Sequence, residues 1–197
     1  GRFLLPGAFY TLGGIQAAGK AVEWFAENFY RQAADPPDNW YAVVNEEVDK
    51  APAGSDGALF IPHLRGSIVP HKIPYARGAF LGLKETHSRG QIARAVYEGL
   101  AMEYRLIVEQ MEAAICKKFH EIRCFGGGSR NSTWLRIKAS VLGRPLTVYS
   151  PGEHGCLGAA VLAGVGGGVY RSMEEAVQTM QSPTSLIEPD VRAFGRY

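Results

Sequence analysis

The chain has 197 residues, 46% hydrophobic and 20% charged, which is ordinary for a globular protein with its own core. Its 21 basic and 19 acidic residues leave a net charge of +2, so the charge balance gives no reason to expect a nucleic-acid partner. No apolar run approaches membrane-spanning length and no signal peptide is visible, which sets the expectation of a cytoplasmic protein with no membrane partner.

In chain order, Phe3–Phe9 suggests a strand bent or edged by Pro6. Ile15, Ala18, Val22, Phe25 and Phe29 recur at three- and four-residue steps and predict a helix from about residue 14 to residue 33. Asp35-Pro36-Pro37-Asp38-Asn39 breaks it, a shorter helix follows through Val48, and Ala51–Gly57 reads as a loop. Ala58–Ile61 and Gly78–Leu83 are short strands on either side of a proline- and glycine-bearing loop. Ile92, Val96, Leu100, Tyr104, Ile107, Met111 and Ile115 hold one face of the longest helix, from about Ser88 to Lys118, where plain core packing accounts for the stripe.

Ile122, Cys124 and Phe125 read as a short buried strand running into Gly126-Gly127-Gly128. Asn131 or Ser132 then caps a helix carrying Trp134, Leu135, Ile137, Val141 and Leu142, which stops at Gly143. A strand, glycine turn and helix in succession bring backbone N–H groups and bare Cα atoms to one point, where a flat or anionic ligand can approach closely. A nucleotide is the first expectation; glycines serving packing alone are the alternative. The dinucleotide fingerprint is broken, because Asn131 stands where its last glycine would be, and no Walker A spacing is present.

Pro145–Tyr149 gives a further strand, and Gly155–Gly164 a helix of small residues suited to close packing. Met173–Met180 forms a last short helix, and the residues after Ser182 read as a tail. The three cysteines, Cys116, Cys124 and Cys156, form no Cys-x-x-Cys pair and read as buried thiols in a reducing compartment. The five histidines show no metal-ligand spacing, so no protein-bound structural metal is expected.

Gly78-Ala79-Phe80-Leu81-Gly82-Leu83, seven further residues, then Gln91-Ile92-Ala93-Arg94-Ala95-Val96-Tyr97-Glu98 resembles the second signature of the FGGY carbohydrate kinases. Pro74–Gly78, Gly126-Gly127-Gly128 through Leu142-Gly143-Arg144-Pro145, and Leu157-Gly158-Ala159-Ala160 with Gly164 and Tyr170 are similar as well. So are Gly13-Gly14, Ala17-Ala18-Gly19 and Trp24, in the same order along nearly the whole chain. The resemblance, nearest to the xylulose-kinase type, implies an α/β domain of the ribonuclease H-like, actin/hexokinase class, incomplete at its N-terminal end. Residues 1–197 would be the C-terminal, adenosine-binding domain, with the N-terminal sugar-binding domain outside this chain.

Carried over position by position, the resemblance sets Gly127 and Asn131 against adenosine, with Gly126, Gly128 and Ser129 shaping the turn. It sets Gly19 near the phosphates and Glu23 on the wall of the nucleotide pocket. The implied activity is transfer of the γ-phosphoryl of ATP, with Mg2+, to a sugar or polyol hydroxyl, and a homodimer is one expected state of the intact protein. The family's catalytic aspartate and most sugar contacts align ahead of Gly1, so no residue here is assigned as catalytic or as a metal ligand. Asp56 reads as a turn former and Glu98 as structural. Gly66-Ser67-Ile68-Val69-Pro70 replaces the usual Gly-Glu-Arg-Thr-Pro, and Leu12 replaces a glutamate, which blocks transfer of any particular sugar. A non-enzymatic actin-like or chaperone-like ATPase domain and a dinucleotide-dependent oxidoreductase stay as alternatives. The Arg77–Glu98 signature speaks against the first and Asn131 against the second.

Overall fold

The computed structural model describes residues 1–2, 7–31, 39–69, 71–149, 154–180 and 183–197. Most of the strand expected at 3–9 and the Asp35–Asp38 break lie outside the described residues.

At the centre is α3 (Arg89–Ile115), a 27-residue helix. Its start is fixed by a capping box: Gln91 N–H donates to Ser88 Oγ at 3.3 Å, and Ser88 N–H donates to Gln91 Oε1 at 2.8 Å. Around it pack α1 (Ala18–Phe29), α2 (Trp40–Lys50), the antiparallel pair β1 (Leu59–Ile61) and β2 (Ala79–Leu81), and α4 (Ser132–Leu142). Phe25, Phe60, Tyr97 and Leu100 are fully buried there. Burying side chains of this size contributes about 1.5–3 kcal/mol each. Gly99 lets β1 come this close, since a Cβ there would stand 2.1 Å from the Phe60 carbonyl oxygen.

A second layer is a three-stranded sheet in the order β3 (Arg123–Cys124), β4 (Leu146–Tyr149), β5 (Thr184–Ile187). The pair β3/β4 is parallel and β4/β5 antiparallel, with Leu146 opposite Ile187. Leu135, Ala139, Leu146 and Val148 seal α4 onto this sheet. The remaining helices are α5 (His154–Gly166), α6 (Met173–Thr179) and α7 (Val191–Phe194).

Four expectations need correction. The residues after Ser182 are no tail: β5 completes the sheet, Asp190 caps α7, and Tyr197 reaches Arg94 and Glu98 in the core. The cysteines are not buried thiols. Cys116 caps α3 in a left-handed conformation with its side chain in solvent, Cys156 is exposed on α5, and Cys124 is half-buried. The strand before the glycines is likewise only partly covered, because β4 pairs with one of its edges and Phe125 stays 63% exposed. The first helix is also shorter than expected, starting at Ala18 after an irregular run through Gly13 and Gly14.

A nucleotide-sized cavity at the glycine turn

Three pieces of chain enclose a cavity of about 780 Å³: residues 15–23 around the start of α1, α2 through Tyr41 and Asn45, and the turn from Gly127 to Trp134. The volume is that of a pocket for a drug- or nucleotide-sized molecule.

Helix α1 opens onto the cavity uncapped. Ala17 at its N-cap offers no side-chain acceptor, and Ala17 through Lys20, the first turn at the positive end of the helix, line the cavity. Gly19 adds no bulk there, and nothing lies within 4 Å of where its Cβ would be. One turn on, Glu23 forms an ion pair with Lys20 at 2.5 Å, and both line the cavity. The bond to Glu23 raises the Lys20 pKa.

The turn opposite is built from its glycines. Gly126 has φ +82°, and its carbonyl accepts from Ser129 N–H at 3.1 Å and Ser129 Oγ at 2.7 Å, which closes the loop. Gly126 and Ser129 therefore shape the turn without lining the cavity. Gly127 faces the cavity with open space at its Cα. Gly128 packs on Trp134, 3.2 Å from a would-be Cβ.

Asn131 is held more tightly than any other polar group of the turn. Its Oδ1 accepts from Trp134 N–H at 3.0 Å, capping α4, and its Nδ2 donates to Asn45 Oδ1 at 3.0 Å and to the Tyr97 hydroxyl at 3.2 Å. Tyr97 OH in turn donates to Asn45 Oδ1 at 3.0 Å. Burial pushes the Tyr97 pKa up to about 12, so the phenol stays protonated at neutral pH. Three further bonds clamp α4 to α2 outside the cavity: Thr133 Oγ1 donates to Asp49 at 3.0 Å, and Arg136 donates to both Asp49 carboxylate oxygens at 2.9 and 2.8 Å.

The cavity thus collects Gly19, Glu23, Gly127, Gly128 and Asn131 from the sequence reading, with Gly126 and Ser129 behind the turn. It adds Tyr41 and Asn45 to the lining, with the buried Tyr97 hydroxyl bonded behind Asn45 and Asn131, three roles that sequence reasoning missed. The only signal for the first two was their i, i+4 spacing on one face of α2.

A family model for the C-terminal domain of the FGGY family of carbohydrate kinases matches residues 3–167. The chain belongs to that family. It is 28% identical over 190 residues to a xylulose kinase of Bacillus subtilis, covering 96% of this chain and 37% of that protein. It is 32% identical over 165 residues to a glycerol kinase of Bdellovibrio bacteriovorus, covering 83% of this chain and 32% of that one. A solved xylulose kinase from Rhodospirillum rubrum superimposes with a TM-score of 0.76 at 28% identity, over 89% of this chain and 34% of that structure.

The α/β architecture is therefore that of the FGGY kinases, the actin/hexokinase-type ATPase fold. The chain spans about a third of the length of these relatives. Membership agrees with the carbohydrate-kinase expectation rather than with the actin-like or dinucleotide alternatives. Among the described residues, no helix is long and apolar enough to cross a membrane.

Proposed function

We propose that this chain is the adenosine-side domain of an ATP-dependent kinase acting on a small sugar or polyol. The observation that carries the reading is the meeting, around one cavity, of an uncapped helix start and a glycine turn with bare Cα atoms at Gly19 and Gly127. A nucleotide fits such a cradle: side chains at those two positions would fill the space that its phosphates and ribose need.

ATP supplies the γ-phosphoryl group; the chain supplies position. The α1 N–H groups orient the phosphates, Gly127 admits the nucleoside against the backbone, and the fixed Asn131 holds the turn in shape. Closure against a sugar-binding domain would exclude water as a competing acceptor. The catalytic base aligns ahead of Gly1 and most sugar contacts belong to that other domain, so the isolated chain is inactive in this reading, and a homodimer of the intact protein is compatible with it. Among the described residues, no group of three or more His, Cys, Asp or Glu is placed to hold a metal ion. Glu23 is already engaged by Lys20, so Mg2+ would be held by the phosphates, by water and by groups beyond this chain.

Calorimetric titration with Mg-ADP, Mg-ATP and NADH, on the chain and its Gly127→Val variant, tests this. Adenine-nucleotide binding that the variant loses while its melting temperature holds supports the reading; NADH binding without ADP binding rejects it.

A further inference from the structure

The hydrogen bonds around Asn131 fix the orientation of a second amide, and with it the character of one cavity wall. The backbone N–H of Trp134 can only donate, so the Asn131 atom 3.0 Å away is the oxygen Oδ1. That turns Asn131 Nδ2, a pure donor, toward Asn45, whose facing atom must accept and is therefore Oδ1, at 3.0 Å. The Tyr97 hydroxyl fits that orientation, donating to the same oxygen at 3.0 Å while accepting from Asn131 Nδ2. Both lone-pair directions of Asn45 Oδ1 are then used. Its Nδ2 is left with no partner among the described residues, on a side chain that lines the cavity.

Asn45 is thus locked as a hydrogen-bond donor toward whatever occupies that wall. Rotating its amide to present the oxygen instead would break two bonds and set Nδ2 against Nδ2 of Asn131. The phosphate and ribose side of the cavity is defined by Gly19 and Gly127, and Asn45 stands on α2, a different wall. In a purine nucleoside the atoms farthest from the ribose-bearing N9 are N1 and the substituent on C6. A purine with its ribose toward the glycines brings that edge to α2.

Resting on the adenosine reading above, we propose that Asn45 Nδ2 donates to the unprotonated N1 of a 6-aminopurine, making Asn45 the residue that selects adenine over 6-oxopurines. In hypoxanthine and guanine N1 carries a proton, so the same wall would set donor against donor. Asn131 acts through Asn45 as a positioning residue, as does Tyr97.

The test compares ADP with IDP (hypoxanthine for adenine) by calorimetric titration of the full polypeptide, wild type and two variants. Asn45→Asp keeps an oxygen for Tyr97 and Asn131 and turns the outward group from donor to acceptor while adding a negative charge, so the base preference is read as the ADP:IDP ratio, to which the charge applies equally. Asn45→Ala removes the donor without adding charge, and melting temperatures establish that each variant folds. The expected result is a wild-type preference for ADP that Asn45→Ala erases and Asn45→Asp reverses toward IDP, the ADP:IDP affinity ratio falling about ten- to a hundredfold. An unchanged ratio in folded variants, with wild-type ADP binding intact, overturns the role of Asn45 and leaves the adenosine reading standing. Failure of the wild type to bind either nucleotide overturns both.

Discussion

Glu98, on the central helix, accepts a 2.7 Å hydrogen bond from the hydroxyl of Tyr197, the final residue of the chain. The same carboxylate accepts from Gly54 N–H at 3.0 Å, Ser55 Oγ at 2.7 Å and Arg94 Nε at 2.6 Å. Arg94 extends the network to the carbonyls of Val48 and Ala51 at the end of α2. One carboxylate, 1% exposed, therefore ties together α2, the left-handed turn at Ser55-Asp56, α3 and the C-terminus. Since α2 carries Tyr41 and Asn45, this network also sets where the cavity wall stands.

Removing Glu98 leaves the Arg94 charge buried with no counter-ion, which costs about 3–5 kcal/mol. Glu98→Leu is expected to lower the urea midpoint by that amount in free energy. Tyr197→Phe, which removes one donor of four, is expected to cost only about 0.5–1.5 kcal/mol. Equal effects from the two substitutions, by equilibrium denaturation, would show that the hub is Tyr197 and not the carboxylate.

Much of this was legible in the sequence. Gly126 through Gly143 announced a turn, a capped helix and a left-handed stop, because capping and positive φ are local demands written in Asn131 and in the glycines themselves. The stretch Thr184–Ile187 was not legible, because its strand character comes from pairing with β4, which lies more than thirty residues earlier. The partners of Asn131 were equally hidden. Asn45 and Tyr97 lie 86 and 34 residues away in the chain, and no periodicity connects them. Cysteine exposure was misread because composition reports what thiols usually do, while Cys116 sits where α3 ends in a left-handed cap.

Glu112 predicts acid sensitivity. It is 3% exposed, paired to both guanidinium nitrogens of Arg144, and bonded by Lys118 Nζ at 2.7 Å and Phe119 N–H at 2.8 Å. The Arg144 bond above all, with Lys118 and Phe119, holds its carboxyl far below the usual carboxylate range. A depressed carboxylate stabilises the fold above its unfolded pKa and loses that contribution as pH falls toward the folded value. Glu112→Gln should therefore melt below the wild type at pH 7. The gap should narrow steadily below about pH 4.5, near the unfolded carboxylate value. A gap independent of pH would mean that Glu112 contributes shape alone.

Lys138 should give a slope of the same sign in an alkaline window, set by burial of a charge rather than by pairing. Among the described residues its ammonium has ring partners rather than a carboxylate, 3.6 Å over Trp134 and 5.1 Å over Tyr104, and burial pushes its pKa down to about 8. Between the folded value and the unfolded 10.5, the unfolded chain binds the extra proton, so the contribution of this group to stability rises with pH. Lys138→Met is expected to be more stable than wild type at pH 7, with the advantage shrinking from about pH 8 upward. Thermal melts at pH 7, 8, 9 and 10 measure it. A Met variant less stable at pH 7 would show that the cation–π contact outweighs the cost of burying the charge.

Tyr41 lies along the α2 wall, its ring stacked on Trp40 with centroids 3.5 Å apart, and lines the cavity one turn before Asn45. A ring braced in this way costs little entropy when a flat base packs beside it. Stacking a base on an aromatic side chain is worth about 1–3 kcal/mol by alanine substitution. Tyr41→Ala is accordingly expected to weaken ADP binding by about five- to a hundredfold without changing the ADP:IDP ratio, because stacking does not read the base edge. Tyr41→Phe should retain full affinity. Titration calorimetry on both variants separates this role from that of Asn45: loss of affinity in Tyr41→Phe would assign the hydroxyl rather than the ring, and no loss in Tyr41→Ala would place the base elsewhere in the cavity.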